Sequence, residues 1–507
     1  MQLRLILGDQ LNAAHSWYRE RRDDVVYVLM ETRSETDYVR HHAQKVLAVF
    51  AAMRRFAEAL QAAGHRVHYL RIGDAANQHD FAANLAWLAA HYGASSLACQ
   101  LADERRVDAL LAALPQQVGL PLTQVDSEHF YTTRDEAARL FGSKGWRMET
   151  FYRRMRQQHG VLLDAAGKPE GGQWNYDAAN REPYRGEVAL APWPFAAHDL
   201  GSLWQEIVEA GVQTLGEPQA GALPWPLTRR EARAWLADFL QHRLRHFGRY
   251  QDALVHGEAW LFHSGLSFAL NSKMLSPHEV VQAAEAAWRS DPTLPLASVE
   301  GFIRQILGWR EYVRGVYWAR PDFGSVNALQ HQRPLPRWFW DGDTGMACVA
   351  QAVQGSLQHA YAHHIQRLMV TGNIALLLGC HPDEVDAWYL GIYIDAFEWV
   401  EQPNTRGMSQ WADGGFMASK PYVSGGAYLA RMGDHCAQCR YAVKQKTGPG
   451  ACPFNSLYWH FLARHEAKLA ANPRLAMPYA SWRKMGEGAR QALLAQAEAY
   501  LQDVDSL

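Results

Sequence analysis

DVVYVLM (residues 24–30), HAQKVLAVFAAMRRFAEALQAAG (42–64) and RVHYLRI (66–72) follow one another along the first part of the chain. The outer two are short apolar runs. The middle one places apolar residues at three- and four-residue intervals and closes on Gly64, a residue suited to a helix C-terminal stop. Three more short runs, LRLILGD (3–9), SLACQLA (96–102) and LTQVDS (122–127), continue the alternation. Strands alternating with amphipathic helices argue for a parallel sheet with helices on both faces. No G-x-G-x-x-G follows the first run, so a dinucleotide reading of this half is weak.

After Leu227 the pattern turns helical almost to the end, in REARAWLADFLQHRL, HEVVQAAEAAWR, VEGFIRQILGWREYVRGVYW and ACVAQAVQGSLQHAYAHHIQRLMVTG. Between the two lies GKPEGGQWNYDAANREPYRGEVALAPWPF (167–195), dense in Gly, Pro, Asn and Asp, which reads as an extended connector. The expected organisation is a Rossmann-like α/β domain over 1–130, a linker region over 131–229 and a large all-α domain over 230–507.

With 50 basic and 52 acidic residues, bulk charge predicts no particular partner, and a nucleic-acid site has to be a local patch. Arg153, Arg154 and Arg156 in FYRRMRQQHG offer such a patch, a solvated helix face being the equal alternative. The opening MQLRLILGDQLN has no basic n-region and does not read as a signal peptide. No run reaches the roughly eighteen apolar residues of a membrane span. Six cysteines in 507 residues are too few for a secreted disulfide scaffold, so the chain reads as cytoplasmic and its clustered cysteines as metal ligands. Those are Cys436-x2-Cys439-x12-Cys452-Pro453, three thiolates with His435 beside them. Spacing alone leaves zinc and an iron–sulfur cluster both open.

Further strings stand together: GDQL (8–11), METRSETDYVRHH (30–42), FHSGLSFALNSKMLSP (262–277), EGFIRQILGWREYVRG (300–315), YAHHIQRLMVTGN (361–373) and WYLGIYIDAFEWVEQPNTRGMSQWADGG (388–415). With the cysteine spacing they resemble the cryptochrome/photolyase family over essentially the whole chain. Within it they resemble the bacterial iron–sulfur photolyases and cryptochromes that act on (6-4) photoproducts.

That resemblance implies light-driven repair of UV-damaged DNA by FAD. A blue-light receptor that binds nucleic acid without repair is the alternative. It places FAD in the all-α domain, with His263, Ser264, Gly265, Leu266 and Ser267 at the diphosphate and Arg310 adding positive charge there. Asp395 matches the aspartate at the isoalloxazine edge, and Glu401 or Asn404 falls near the flavin N5. It implies a [4Fe–4S] cluster on Cys348, Cys436, Cys439 and Cys452, leaving Cys99 and Cys380 as buried thiols. The α/β domain resembles one that holds a 6,7-dimethyl-8-ribityllumazine antenna, with Asp9, Gln10, Glu35 and Tyr38 as pocket residues at a strand's carboxyl end. Trp340, Trp388 and Tyr389 match electron-transfer aromatics, and Phe397 stands where a relative has tyrosine.

The catalytic expectation rests on HAYAHH, in which His359 and His363 are read as sharing a helix face at i, i+4. Opening a (6-4) lesion demands a proton as well as an electron, and histidine suits that exchange near neutral pH. His364 is expected to be the acid, His363 its support, and Tyr422 a lesion contact. Asp177 and Asn180 are candidates to reach the DNA or a cation. A lesion pocket facing a duplex works in a monomer, the expected state.

Overall fold

The computed structural model describes residues 1–142, 145–193 and 197–507. Strands Gln2–Leu5 (β1), Val25–Met30 (β2), Val67–Leu70 (β3), Ser96–Gln100 (β4) and Leu122–Val125 (β5) form one parallel sheet in the order β3-β2-β1-β4-β5. Leu3 sits opposite Val26 on one side and Leu97 on the other. Side chains alternate between faces along a strand. Val26 and Val28 therefore pack with Leu85, Leu88 and Leu111 of helices Phe81–Tyr92 and Arg105–Val118. Val25, Tyr27 and Leu29 pack with Val46, Leu47 and Phe50 of helix Ala43–Ala62. Both faces are covered, which is why β2 is apolar throughout rather than alternating. The long helix stops as its sequence predicts: Gly64 has φ +89° and lies so close to the Arg21 guanidinium that a Cβ would meet it at 2.7 Å.

The rest of the described chain is helical. Helix Met148–His159 packs on the turn Arg304–Arg310, and Gly201–Glu209 packs on Ala43–Ala62. The connector 167–195 holds two short turns, Glu170–Gly172 and Asp177–Ala179; its last two residues lie outside the described residues.

Three helices share a local feature. Leu296–Ile303 runs through a π-helical turn, Arg304–Arg310, into Glu311–Ala319. The turns Gln366–Gly372 and Pro403–Ser409 have the same wide form. Such turns concentrate at functional sites because the extra residue re-aims side chains.

The string ACVAQAVQGSLQHAYAHHIQRLMVTG is not one helix. Helix Ala347–His359 ends where Ala360 takes the left-handed conformation, φ +52°. The expected i, i+4 relation of His359 and His363 is thereby broken. The His359 ring lies against Trp260 at 5.8 Å, while His363 stacks on His263 at 4.4 Å.

Buried cations join the two halves. Lys273 donates to Asp9 Oδ2 at 2.8 Å and pairs with Asp103 at 2.7 Å. Lys45 Nζ donates to the carbonyls of Leu390 and Ala396 at 2.8 and 2.6 Å. The second contact pair straddles the loop that carries Asp395.

Candidate functional site

An open cavity of roughly 2040 Å3, mouth included, lies in the helical half, and all three π-turns line it. Arg310 comes from the first, Arg367 from the second, and Asn404 and Thr405 from the third. The loop before helix Ser267–Asn271 supplies His263, Ser264, Gly265 and Ser267. Gly265 is required there: φ is +62° and a Cβ would come within 2.9 Å of Trp193. Leu266 turns away and is buried in the core.

Asp395 and Arg367 form a two-point ion pair, both bonds 3.0 Å, and Glu401 lies 3.7 Å from the same guanidinium. Burial pushes the Glu401 carboxyl up, and Arg367 offsets that rise. Asn404 donates to Val400 O at 2.8 Å, one turn back on its own helix.

Arg310 is buried beside His129 Nε2 at 2.9 Å and sits over the rings of Phe130 and Trp399. Burial pushes its guanidinium down to about 10. Its Nε and Nη1 have no hydrogen-bond partner among the described residues, and the Glu311 carboxylate lies 3.7 Å from Nη1. A buried donor left unmatched is costly, so these two nitrogens suit an anionic group such as a diphosphate.

His363 and His364 are neighbours with opposite surroundings. His363 is buried, and neither ring nitrogen has a hydrogen-bond partner among the described residues. His364 is exposed to the cavity space, yet the enclosing walls, then Arg367 and His263, push its imidazole down to about 4. Tyr422 lines the same cavity, together with Asp177, Arg181 and Asp252. Asn180 does not reach it: the side chain is buried and donates to Ala297 O at 2.9 Å. Arg156 is likewise no surface contact, being buried with bonds to the carbonyls of Val161, Leu162 and Trp174. Arg153 pairs with Glu149 at 2.8 Å, and Arg154 is exposed.

Tyr389 lines the cavity and its hydroxyl donates to Arg367 O at 2.6 Å. Trp388 meets Tyr389 at 5.2 Å and Phe339 at 5.1 Å, both edge-on. Trp340 lies one residue beyond Phe339 and is 46 % exposed.

Cys348, Cys436, Cys439 and Cys452 face one void of about 330 Å3, walled by Met346, Leu429 and Phe454. Cys348 opens helix Ala347–His359, and Cys452 precedes helix Pro453–Arg464 with proline at its first position. Burial and the three neighbouring thiols raise the Cys348 pKa. Among the described residues, no three His, Cys, Asp or Glu side chains are grouped so as to hold a metal ion. Four thiols around a void are a donor set of the kind that iron–sulfur clusters and structural zinc both use. Cys380 and Cys99 are buried elsewhere.

A second cavity, about 850 Å3, opens at the carboxyl ends of β1, β2 and β4, where the strand order reverses. That is the general ligand position of open α/β sheets. Asp9, Glu35 and Tyr38 line it. Gln10 does not; its Oε1 accepts from Leu7 N at 3.1 Å, so it closes the backbone turn. Arg106 holds Glu35 by two 2.8 Å bonds and lies 3.9 Å over the Tyr38 ring. His41, also on the wall, has no hydrogen-bond partner for Nδ1 among the described residues. Phe397 lines this cavity too, beneath Lys45.

Sequence reasoning missed Arg304, Trp309, Asn271 and Asp252, which line the large cavity. The first three stood in strings already singled out, beside the residues that were picked. For Arg304 and Trp309 it is the π-turn that brings further side chains of the same string to the cavity.

The family described as "Deoxyribodipyrimidine photo-lyase-related protein" matches residues 4–222. A protein named "(6-4) photolyase" from Agrobacterium fabrum is 42% identical over 512 residues, covering 99% of this chain and all of that one. Among solved structures, a bacterial class III photolyase from Agrobacterium tumefaciens has a TM-score of 0.58 at 17% identity, covering 99% of this chain and 97% of its own. A cryptochrome from Synechocystis has a TM-score of 0.54 at 13% identity, covering 81% and 82%. At those identities the two structures speak for the fold.

Proposed function

The chain belongs to the cryptochrome/photolyase family, with a (6-4) photolyase as its full-length relative, and on that premise we propose that it repairs (6-4) pyrimidine–pyrimidone photoproducts in DNA under light, at the open cavity. The observation that carries the assignment to this cavity is the convergence there of His364, Tyr422, Asp395 and Arg310 from four separate segments.

FAD is the flavin the cavity would hold. Arg310, with two unmatched nitrogens, would meet its diphosphate beside the His263–Ser267 loop, and Asp395, fixed by Arg367, its ring edge. Bound there, the flavin supplies the light-excited electron, which protein side chains cannot, since they do not absorb usefully in the blue.

The side chains supply the rest. The damaged bases must leave the stack, a step that damage makes cheaper. Tyr422 at the cavity wall offers a ring to receive them. His364 is neutral in the resting cavity, its pKa near 4. The phosphates of bound DNA favour its charged form, so His364 takes up a proton from solvent as the substrate binds. His364 then gives a proton from an imidazole nitrogen to the lesion and retakes it. His363, stacked on His263, keeps that segment in place. A cyclobutane dimer needs no proton to split, so the exposed histidine favours (6-4) substrates.

The four-cysteine void would hold a [4Fe–4S] cluster whose main effect is to tie 435–453 to helix Ala347–His359, because ligation contributes folding energy. The cavity at the sheet would hold the 6,7-dimethyl-8-ribityllumazine antenna against Asp9, Glu35 and Tyr38. No helix among the described residues is long and apolar enough to cross a membrane. The reading is of a cytoplasmic monomer acting on UV-damaged DNA.

The test is anaerobic photorepair. Pre-reduced protein meets a (6-4) oligonucleotide and a cyclobutane-dimer oligonucleotide under blue light, with a dark control and His364→Ala. The expected result is light-dependent restoration of the (6-4) substrate alone, with the rate down about a hundred- to ten-thousand-fold in the variant. Failure to repair either substrate by flavin-loaded protein would leave the photoreceptor reading.

A further inference from the structure

A third cavity, about 720 Å3, lies away from the flavin site, between the segment 329–333, Gly379 and the end of helix Pro453–Arg464. Its charged and titratable walls are Arg333, Arg464, His331 and His465. Among the described residues no carboxylate pairs with either arginine; Arg333 donates Nε and Nη1 to the carbonyls of Leu378 and Leu501 at 3.3 and 3.0 Å, and its charge opposes that of Arg464. Burial, then Arg333, push Arg464 down to about 10. His331 and His465 are buried with their Nε2 atoms 3.0 Å apart. Arg464 Nε donates to His465 Nε2 at 3.1 Å, so His465 is a neutral acceptor there, and neither imidazole compensates a guanidinium charge. Glu384 is engaged elsewhere, accepting from Leu335 N at 2.7 Å.

Two like charges held together in a partly buried cleft, without a counter-ion, destabilise the protein unless something neutralises them. Guanidinium forks match phosphate oxygens two at a time. Gly379 lets the Arg464 fork lie against the backbone, since a Cβ there would stand 2.8 Å from Nη1. We propose that this cleft is a phosphate-binding site, built by Arg333 and Arg464 and braced by His331 and His465. The phosphate can belong to the DNA backbone flanking the lesion or be free in solution. The chain links the cleft to the mouth of the large cavity: past Arg464, Asn472 bonds Ser419 O at 2.8 Å, three residues before Tyr422.

The experiment compares flavin-loaded wild type with Arg464→Gln and Arg464→Lys. The first arm is the thermal midpoint in sodium phosphate against sodium chloride at equal ionic strength. The second is the salt dependence of binding to undamaged duplex. Phosphate should raise the wild-type midpoint and not that of Arg464→Gln, with Lys intermediate. If the source is DNA, Arg464→Gln also lowers the slope of log affinity against log salt by about 0.9, one phosphate's worth. An unchanged slope with the phosphate effect intact assigns the site to free phosphate. Equal response of wild type and Arg464→Gln in both arms overturns the proposal. If Arg464→Gln does not fold, the Lys variant and the wild-type phosphate response still decide it.

Discussion

Replacing Arg367 by methionine should destabilise the protein, and by more at high pH than at low. Arg367 and Asp395 are 16 % and 8 % exposed at their side chains and share two 3.0 Å bonds. Removing one partner of such a pair strands the other charge and costs about 3–5 kcal/mol. Arg367 also lies 3.8 Å over the Tyr393 ring, a contact worth about another 0.5–2 kcal/mol that methionine only partly replaces. The sign with pH follows from Glu401, whose carboxyl burial already pushes up and Arg367 holds back. Without Arg367 its folded pKa climbs further above the unfolded value. The neutral acid is tolerated at low pH, and stability is lost as pH rises through the folded pKa. The deficit should therefore grow between pH 5 and 8. Denaturant melts of wild type, Arg367→Met, Asp395→Asn and the double variant, each at several pH values, measure it. The double variant should lose clearly less than the sum of the two singles, because the pair is coupled. A loss below about 1 kcal/mol, strict additivity, or a deficit flat with pH would refute the reasoning.

Lys45→Met removes the ammonium that holds Leu390 O and Ala396 O on either side of Asp395; a loss of about 2–3 kcal/mol is expected, with faster flavin release in stopped-flow fluorescence. Unchanged release would show that the Asp395 loop holds its place without the α/β domain. Cys348→Ser should lower bound iron and acid-labile sulfide together and expose 435–453 to protease; full iron content would remove Cys348 from the ligand set. His42 is buried with its pKa pushed down to about 4. A depressed histidine pKa means the unfolded chain binds the extra proton, so stability is present above about pH 6.5 and falls as pH drops toward 4. The fall is up to about 3 kcal/mol for this residue; a His42→Gln variant with the same acid profile would exclude it as the cause.

The sheet was legible because its signal is local. Runs such as DVVYVLM are buried on both faces, so continuous apolarity marks them, and Gly64 punctuates the helix between. The members of the large cavity were legible for a different reason: the strings carrying His263, Arg310, His364 and Asp395 match a family, although nothing in their own spacing brings them together. Periodicity failed at HAYAHH, where a left-handed Ala360 ends the helix that the pattern continues. That choice is made by packing, as Ile394 N bonds Ala360 O at 2.9 Å from a distant segment. Nor does sequence reveal that Arg156 is buried while Arg154 is exposed, two residues apart on one helix.

The sequence by itself determined most of the strands and helices, because propensity and period act over a few neighbouring residues. Only the tertiary structure decided what faces what: the three π-turns that aim arginines and an asparagine into one cavity, the Lys45 clamp across the two halves, and the Arg333–Arg464 cleft, which has no carboxylate partner among the described residues. These depend on contacts between residues far apart in the chain, where the cost of burying a charge or an unmatched donor is settled by the partner that arrives.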